Sequence, residues 1–269
     1  MVDSPTSRQE HVDPAPLATL SARGITKRYG HVQALQGADF DAYRGEVTAL
    51  VGDNGAGKST LVKILSGTLR ADGGTLLMEG RPVSMSSAAE ARALGIETVY
   101  QDLAVAPDLD TPANMFLGRE IVRGGALRPF GILNKRQMRA EAQDVYSRLG
   151  LAISPPQQAR PVAMLSGGQL QSVAIARAAA WARKIVFFDE PTAALGHRQT
   201  ANVYDLIKQT RDSGMAVVLI SHDLPDVLEV ADRIQVVRHG RRVANLPGSQ
   251  TSLDELISTM MGGAIYEEG

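Results

Sequence analysis

The sequence predicts an α/β fold, in which a core with a parallel sheet carries a small antiparallel β subdomain and an inserted α-helical subdomain. Short apolar runs of buried-strand type occur at 46–51, 184–188, 216–220 and 233–237. Each is followed by turn or helix residues, which is the alternation typical of a parallel sheet. Residues 102–180 have few β-branched runs and many Ala, Arg, Glu and Gln. The core is therefore predicted to resume after a helical insertion.

The remaining elements follow in order along the chain. Residues 1–16 are polar, contain three prolines and show no periodicity, so they predict a mobile N-terminal tail. Strand-like runs around a glycine-rich loop predict the small antiparallel sheet and its junction with the core, at 17–20, 36–43, 46–51 and 74–78. A strand is predicted at 96–100, and helices are predicted at 136–149, 169–182 and 252–261. Residues 246–269 are thus expected to form a C-terminal helix and tail.

Composition excludes several classes of function. The 28 Lys and Arg against 29 Asp and Glu give a formal net charge of -1, so no strong basic field favours nucleic acid as a partner. The absence of cysteine excludes disulfides, thiolate metal sites and a cysteine nucleophile. No run reaches the 18 or more apolar residues of a membrane span, and residues 1–16 lack the features of a signal peptide. A soluble, cytosolic chain is expected.

A glycine-rich loop follows the strand predicted at 46–51 and precedes a helix. It fits the pattern G-x-x-x-x-G-K-[ST] at every fixed position, with the residues Gly52, Asp53, Asn54, Gly55, Ala56, Gly57, Lys58, Ser59 and Thr60. Its backbone N–H groups and the positive end of the helix dipole favour phosphate. Lys58 is expected to reach the β- and γ-phosphates, and Ser59 to ligate Mg²⁺. The loop predicts a P-loop NTPase core, with a bare glycine-rich turn as the alternative.

A second glycine-rich turn precedes the helix predicted at 169–182. Its residues are Ser166, Gly167, Gly168 and Gln169, after Leu165. The N-terminus of a helix is a ready anion site, so this turn is a second candidate for phosphate. Taken alone, such a turn is more often a simple helix cap.

Two adjacent carboxylates end the apolar strand predicted at 184–188. They are Asp189 and Glu190, at the carboxyl edge where a parallel sheet exposes its ligand site. Asp189 is expected to hold Mg²⁺, directly or through water, and Glu190 to polarise the water that attacks the γ-phosphate. The alternative is a solvated strand end without a chemical role.

Three features occur in this order: the P-loop, the turn at 165–169 with the sequence LSGGQ (the LSGGQ turn), and the strand that ends in Asp-Glu-Pro-Thr. Together they resemble the ATP-binding subunit of an ABC transporter. The resemblance covers about residues 17–242, and residues 17–245 are expected to form its ATP-binding domain. It implies roles for three further residues: Tyr29 stacks on adenine, Gln101 touches Mg²⁺ and the water, and His222 contacts the γ-phosphate. Outside this family, the three would be an anchoring tyrosine, a surface glutamine and a capping histidine.

The resemblance also implies partners. Two subunits of this family dimerise head to tail, so that each ATP is held by the P-loop of one chain and the LSGGQ turn of the other. Because the chain has one P-loop and one LSGGQ turn, it must pair with itself or with a separate partner, and a homodimer is expected. ABC permease subunits are the expected membrane partners, and a periplasmic sugar-binding protein is an indirect one. The chain is then expected at the cytoplasmic face of the inner membrane, as a peripheral subunit.

Two segments are similar to the branch of the family that imports monosaccharides such as ribose, xylose, galactose or fructose. They are residues 111–120 and residues 133–138, which flank a Gly- and Arg-rich insertion. Importers of the maltose type carry a regulatory domain of roughly a hundred residues after the core, which the tail at 246–269 is too short to supply, so that type is not expected. The expected function is therefore the ATP-hydrolysing subunit of a sugar importer. The groove between the helical subdomain and the Gln101 loop is expected to receive a coupling helix of the permease.

One departure from the family pattern and three rival functions remain. Gly196 stands where the family usually has an aspartate that bridges the two subunits, which puts coupling between the ATP sites in doubt. An exporter subunit shares the same catalytic motifs. A soluble ABC ATPase acting on DNA or ribosomes would need basic stripes, a long coiled-coil insertion or a second unit, and none is present. A P-loop phosphotransferase would leave the LSGGQ turn unexplained.

Overall fold

The computed structural model of the chain describes residues 17–100, 102–124, 131–149, 151, 153–193 and 195–262. The strands of this part are β1 Leu20–Tyr29, β2 Val32–Ala42, β3 Val47–Val51, β4 Gly73–Met78, β5 Arg81–Val83, β6 Ile96–Val99, β7 Ile185–Asp189, β8 Ala216–Ile220, β9 Arg233–Arg238 and β10 Arg241–Pro247. Its α-helices are α1 Lys58–Leu65, α2 Ala88–Ala93, α3 Thr111–Met115, α4 Lys135–Arg148, α5 Pro155–Gln158, α6 Gly167–Trp181, α7 His197–Asp212, α8 Leu224–Val230 and α9 Leu253–Met261. The predicted α/β fold is thus present.

A six-stranded sheet forms the centre of the molecule, in the order β10-β9-β3-β8-β7-β6. All neighbours pair in parallel except β9 and β10, which form an antiparallel hairpin at one edge. Strands β3 and β8 are buried throughout, as expected for parallel strands covered on both faces. Because the strands are parallel, the loops that follow β3, β7 and β8 meet at one edge of the sheet.

The antiparallel sheet has the order β2-β1-β4-β5, which confirms a small antiparallel subdomain. The strand predicted at 17–20 is wrong in extent, because β1 begins at Leu20 and continues to Tyr29. Its pairing with β2 shifts register between Ala22 and Ile25, around Gly24 at φ +60°. Such a bulge breaks the period-2 alternation of apolar residues on which strand prediction depends.

A buried carboxylate joins the two sheets. Asp41 on β2 accepts hydrogen bonds from Arg23 at 2.6 Å, from Ser21 at 2.8 Å and from Arg242 on β10 at 2.9 Å. Its backbone carbonyl accepts a further bond of 2.6 Å from the side chain of Gln235 on β9. The Asp41 side chain is only 7% exposed, and its contacts with two sheets fix the antiparallel subdomain against the core.

Helices dominate the segment between β6 and β7, as predicted. The helices expected at 136–149 and 169–182 are α4 and α6, displaced by one or two residues. This segment has its own apolar cluster, in which Met115, Phe116, Met138 and Tyr146 are buried. The Trp181 ring meets Phe116 edge to face at 5.4 Å, and its indole N–H donates to the carbonyl of Met115 at 2.8 Å. The cluster therefore ties α3 and α4 to the C-terminal end of α6.

The C-terminal helix is present as α9. It starts after Ser252, whose side chain and that of Glu255 form a capping box, and it ends at Gly262 with φ +99°. The predicted N-terminal tail, residues 1–16, and the end of the C-terminal tail, residues 263–269, lie outside the described residues. Within the described part, no helix is long and apolar enough to cross a membrane.

Candidate functional site

The glycine-rich loop lies between β3 and α1, as its motif predicts. Gly52 and Gly57 have φ of +147° and +107°, which side-chain-bearing residues rarely adopt. A Cβ at Gly52 would lie 2.1 Å from the carbonyl oxygen of Val237, and one at Gly57 would lie 2.8 Å from that of Ala34. Glycine is required at both positions because the loop curls tightly against β9 and β2.

The first turn of α1 is open for an anion. Its N-cap is Gly57, so no side chain caps the helix, and the first turn contains no acidic residue. The N–H groups of such a turn have no partner within the helix and carry its positive dipole end. This end of α1 therefore fits the phosphates of a nucleotide.

Lys58 lies folded over the loop. Its Nζ donates to the carbonyl oxygens of Gly52 at 2.5 Å and Asp53 at 3.0 Å. Burial lowers the pKa of Lys58, and the negative charges of Glu190, Asp53 and Asp189 oppose that change. The lysine is thus close to both carboxylates at the end of β7, with its ammonium bound to groups that a phosphate can replace.

The two carboxylates at the end of β7 differ in their surroundings. Burial and the charge of Glu190 raise the pKa of Asp189, while Lys63 and Lys58 partly offset that rise. Glu190 has φ +50°, an uncommon value for a residue with a side chain, and its N–H donates to the carbonyl of Ile220 on β8 at 2.9 Å. The loop after β7 is thereby held against the end of β8.

His222 lies two residues after β8 and faces Glu190. Its Nδ1 donates to Oε2 of Glu190 at 2.7 Å. The histidine side chain is 73% exposed and the glutamate 19%, so the histidine lies on the solvent side of the pair at the edge of the sheet. The structure therefore brings together Lys58, Asp189, Glu190 and His222.

A preformed metal cluster is not part of this edge: among the described residues, no three His, Cys, Asp or Glu side chains come together as metal ligands. This agrees with the chemistry of Mg²⁺, which is usually held by one or two carboxylates together with substrate phosphates and water. Asp189 at the sheet edge and Ser59 in the first turn of α1 are the types of ligand that such an ion needs. Gln101, predicted as a third contact, lies outside the described residues.

The LSGGQ turn forms the N-terminus of α6. The Ser166 hydroxyl accepts from the N–H of Gln169 at 3.3 Å, and the Gln169 side chain accepts from the N–H of Ser166 at 3.1 Å. This capping box shows that the turn is a helix cap, and the N–H groups of Gly167 and Gly168 remain in the first turn. Among the described residues, no hydrogen bond joins Ser166–Gln169 to the P-loop.

Two further predicted residues lie apart from the carboxylates. Tyr29 ends β1 and is 48% exposed, with its ring free of the core. Gly196 is the N-cap of α7, with φ -82° and nothing within 4 Å of a Cβ built on it. A positive φ at position 196, which aspartate would tolerate poorly, is the other reason why a glycine could stand there. This reason does not apply, because the backbone at Gly196 is extended and its surroundings are open.

A turn that was not predicted from the sequence supports the P-loop through a hydrogen bond. Gly240, between β9 and β10, donates its N–H to the carbonyl of Ala56 at 2.8 Å and accepts from the N–H of Gln36 at 2.9 Å. It has φ +73°, and a Cβ on it would lie 2.7 Å from the carbonyl of Ala34. The pair His239-Gly240 is a turn signal in the sequence, but nothing local indicates that this turn contacts a loop 180 residues earlier.

Known proteins resemble the chain closely. A family model described as ABC transporter matches residues 35–193. The fructose import ATP-binding protein FrcA of Rhizobium meliloti is 48% identical over 90% of this chain and 94% of its own. A ribose import ATP-binding protein of Rubrobacter xylanophilus is 43% identical over 93% of this chain. The chain spans about half of that relative, 48% of its length.

Solved structures agree with these relatives. A nucleotide-free ATP-binding cassette from an ABC transporter superposes with a TM-score of 0.77 at 25% identity, over 93% of this chain and 98% of the other. A bacterial ABC transporter cassette solved as a dimer has a TM-score of 0.70 at 22% identity, which shows the shared fold. The family match spans more than half of the chain, and a relative of similar length is nearly half identical. The chain therefore belongs to the ATP-binding proteins of the ABC transporter family.

Proposed function

We propose that this chain is the ATP-hydrolysing subunit of an ABC importer for a monosaccharide. The observation that carries the proposal is the convergence of Lys58, Asp189, Glu190 and His222 at one edge of the sheet, beside an open helix N-terminus. The similarity to fructose and ribose import proteins supports a sugar as the cargo. An exporter subunit is not favoured, because these relatives are import proteins.

Nucleotide binding is assigned to the P-loop and to one aromatic residue. Residues Gly52 to Thr60 hold the phosphates through backbone N–H groups, and Lys58 leaves the carbonyls of Gly52 and Asp53 to pair with them. Tyr29, at the exposed end of β1, offers its ring to the adenine. Ser59, Gln101 and Asp189 would hold Mg²⁺, which neutralises charge on the β- and γ-phosphates when bound.

Hydrolysis is assigned to Glu190 and His222. Glu190 accepts a proton from the water that attacks the γ-phosphate, and its negative charge acts on Lys58, the residue proposed to hold the phosphates. His222 donates a hydrogen bond to the Glu190 carboxylate and so orients it. From the same position, His222 contacts the γ-phosphate. The strained backbone at Glu190 fits this role, because such strain persists where surrounding contacts fix a side chain for chemistry.

A second copy of the chain completes each site in this proposal. Ser166, Gly167, Gly168 and Gln169 present a helix N-terminus on the helical subdomain, and within the described residues they make no hydrogen bond to the P-loop of their own chain. A head-to-tail dimer would bring this N-terminus to the γ-phosphate held by the partner subunit. ATP then favours the closed dimer, and hydrolysis favours its opening.

The membrane partner is a permease. This chain binds it at the cytoplasmic face of the inner membrane. A coupling helix of the permease would enter the groove between the helical subdomain and the loop that contains Gln101. A periplasmic sugar-binding protein delivers the sugar to the permease, so it acts on this chain only indirectly. The sugar itself does not contact this chain.

Reconstitution tests the proposal. The chain is purified together with the membrane protein encoded beside it, placed in vesicles, and assayed for ATP hydrolysis with fructose, ribose and xylose delivered by the cognate binding protein. We expect hydrolysis that rises with one of these sugars, and uptake of that sugar. Hydrolysis without any sugar-dependent uptake would contradict the importer assignment, and a chain that binds no ATP would contradict the nucleotide site.

A further inference from the structure

Asp72 binds the end of β1 through three hydrogen bonds. Its carboxylate accepts from the backbone N–H of Arg28 and from the Nζ of Lys27, each at 2.7 Å. Its own N–H donates to the carbonyl of Thr26 at 2.9 Å. Three consecutive residues of β1 are therefore attached to one residue in the loop between α1 and β4.

This attachment lies where the pairing of β1 with β4 ends. Gly73 of β4 is opposite Thr26, and among the described residues the pairing continues no further towards Tyr29. The edge of a strand beyond its neighbour presents backbone groups without a partner in the sheet. The N–H of Arg28 is such a group, and the Asp72 carboxylate accepts it. Asp72 thus supports β1 beyond the point where β4 stops.

The two bonds to the carboxylate differ in what they contribute. The Asp72 side chain is 46% exposed, and an ion pair as exposed as that with Lys27 contributes little by itself because water screens it. The bond from Arg28 is charge-assisted, and its donor is already fixed in a strand. The bonds from Lys27 and Arg28 lower the pKa of Asp72, so the side chain is a carboxylate at neutral pH.

The other strand of this hairpin is held by the P-loop. Tyr29 is opposite Val32 across the turn between β1 and β2. Two residues after Val32, the carbonyl oxygen of Ala34 lies 2.8 Å from a Cβ built at Gly57, so β2 packs directly on the start of α1. The hairpin end that carries Tyr29 is therefore held by the P-loop on the side of β2 and by Asp72 on the side of β1.

We infer that Asp72 is a positioning residue for the adenine base, because it fixes the strand end from which Tyr29 presents its ring. The inference rests on the proposed function, in which Tyr29 stacks on adenine. Tyr29 directly follows Arg28 and is 48% exposed, so its orientation depends on the backbone that carries it. A ring whose backbone is fixed in advance loses less freedom on binding than a ring on a mobile strand end.

Four variants of the full chain test the inference. Asp72→Ala removes both bonds to the carboxylate, and Asp72→Asn keeps an oxygen for the N–H of Arg28 but loses the charge. Tyr29→Ala removes the ring. Asp39→Ala is the matched control, because Asp39 is also an aspartate that accepts a backbone N–H of β1, that of Gly24, at a distance from Tyr29 along the strand.

The first measurement asks whether Asp72 holds the strand end. Hydrogen exchange of the segment 26–30 is followed without nucleotide. We expect exchange about tenfold faster in Asp72→Ala, because the N–H of Arg28 loses its acceptor, and the wild-type rate in Asp39→Ala. An unchanged rate in Asp72→Ala overturns the inference.

The second measurement separates adenine positioning from general stability. Titration calorimetry gives the affinity for Mg-ATP and for inorganic triphosphate with Mg²⁺, which has no base. Stacking of a base on an aromatic ring is worth about fivefold or more in affinity, so we expect Asp72→Ala to weaken ATP about fivefold and Tyr29→Ala about tenfold. Triphosphate should bind both variants within about twofold of the wild type, because it does not use the ring. Equal losses for the two ligands in Asp72→Ala would show a structural role and overturn the inference.

The double variant provides the closing test. Residues that act through the same contact are not additive, so adding Asp72→Ala to Tyr29→Ala should weaken ATP by less than about twofold more. Full additivity overturns the inference. If Asp72→Ala does not fold, Asp72→Asn decides: a loss of about threefold for ATP and none for triphosphate supports the inference, and no loss for ATP overturns it. A wild-type chain that binds no ATP overturns the proposed nucleotide site together with this inference, whereas ATP binding that Asp72→Ala leaves unchanged overturns the inference alone.

Discussion

The two neighbouring carboxylates at the end of β7 differ in their burial and in their hydrogen bonds. Asp189 is partly buried and has a raised pKa, whereas Glu190 is bonded to His222 at the open edge of the sheet. The sequence predicted both residues from the strand that they end, but only family resemblance indicated His222.

Asp189→Asn should stabilise the chain without nucleotide and abolish its hydrolysis. Because the folded-state pKa of Asp189 is raised, the carboxyl favours folding only below the unfolded pKa of about 4, and that stability is lost as pH rises through the folded pKa. Asparagine removes this loss at neutral pH and also removes a ligand for Mg²⁺. Thermal unfolding at pH 7 and near pH 4, with an ATPase assay, checks both expectations.

The expected pattern is a higher melting temperature for Asp189→Asn at pH 7 and a smaller difference near pH 4. A variant that melts below the wild type at pH 7 would show that Asp189 is stabilised by its neighbours and would contradict the burial argument. Hydrolysis at the wild-type rate with Mg-ATP would remove Asp189 from the site.

Lys58→Ala should abolish ATP binding, because the ammonium is the cationic side chain of the P-loop. Loss of charge-assisted bonds worth about 3 kcal/mol corresponds to at least about 10²-fold in affinity. Lys63→Ala is the matched control, since Lys63 is exposed on the last turn of the same helix. Titration of both variants with ATP decides: equal affinity of Lys58→Ala and the wild type would refute the phosphate assignment.

Among whole elements, the sequence predicted the buried parallel strands better than the antiparallel ones. Strand β8 lies where its apolar run predicts it, because every residue of Ala216–Ile220 is buried and the run has sharp ends. Strand β1 was missed over most of its length, because only four of its ten residues are buried and a bulge at Gly24 breaks their alternation. A strand that is buried on both faces is therefore easier to predict from the sequence than a strand that is buried on one face.

Long-range supports were beyond sequence reasoning. The hairpin turn at Gly240 and the carboxylate of Asp72 each support a segment of the proposed site that is distant in the chain. Their local patterns, a His-Gly turn and an aspartate in a loop, are common and do not identify a partner. The proposed site residues Asp189 and Glu190 were predictable because they lie at the end of a strand of recognisable type. The residues that support the loops of the site were not.

Gly196→Asp tests the start of α7. The residue is an N-cap with extended backbone and open space, so aspartate fits without strain and caps better than glycine by a few tenths of a kcal/mol. If the missing carboxylate weakens coupling between two ATP sites, the substitution should also tighten the ATP-bound dimer or raise the Hill coefficient by a coupling of about 1 kcal/mol. Thermal unfolding and ATPase cooperativity are measured on the same protein. Unchanged cooperativity in a stable variant would refute the coupling idea.

On the scale of the whole molecule, one network joins the antiparallel subdomain to the core. Asp41→Ala should lower the free energy of unfolding by about 2 kcal/mol, because it leaves two arginines and a serine with fewer partners. Asp39→Ala is the control on the same strand, where the carboxylate accepts one exposed bond from the N–H of Gly24. Urea unfolding of both variants checks the prediction, and similar losses in the two would show that Asp41 does not join the sheets.

The proposed site needs two whole chains. One edge of the chain holds Lys58, Asp189, Glu190 and His222, while the LSGGQ turn lies on the helical subdomain without a hydrogen bond to that edge within the described residues. A single chain can bind ATP by this arrangement, but it cannot enclose the γ-phosphate. We therefore propose ATP-dependent dimerisation as the step from which hydrolysis and transport follow.

The most direct test is the mass of Glu190→Gln in solution, by light scattering after size exclusion with saturating Mg-ATP and with Mg-ADP. We expect hydrolysis slowed by roughly 10² or more, since an acid-base group is lost while ATP still binds. The variant should then have twice the mass of one chain with Mg-ATP and the mass of one chain with Mg-ADP. A Glu190→Gln chain that remains monomeric with saturating Mg-ATP, or hydrolyses ATP at the wild-type rate, would contradict the proposed site.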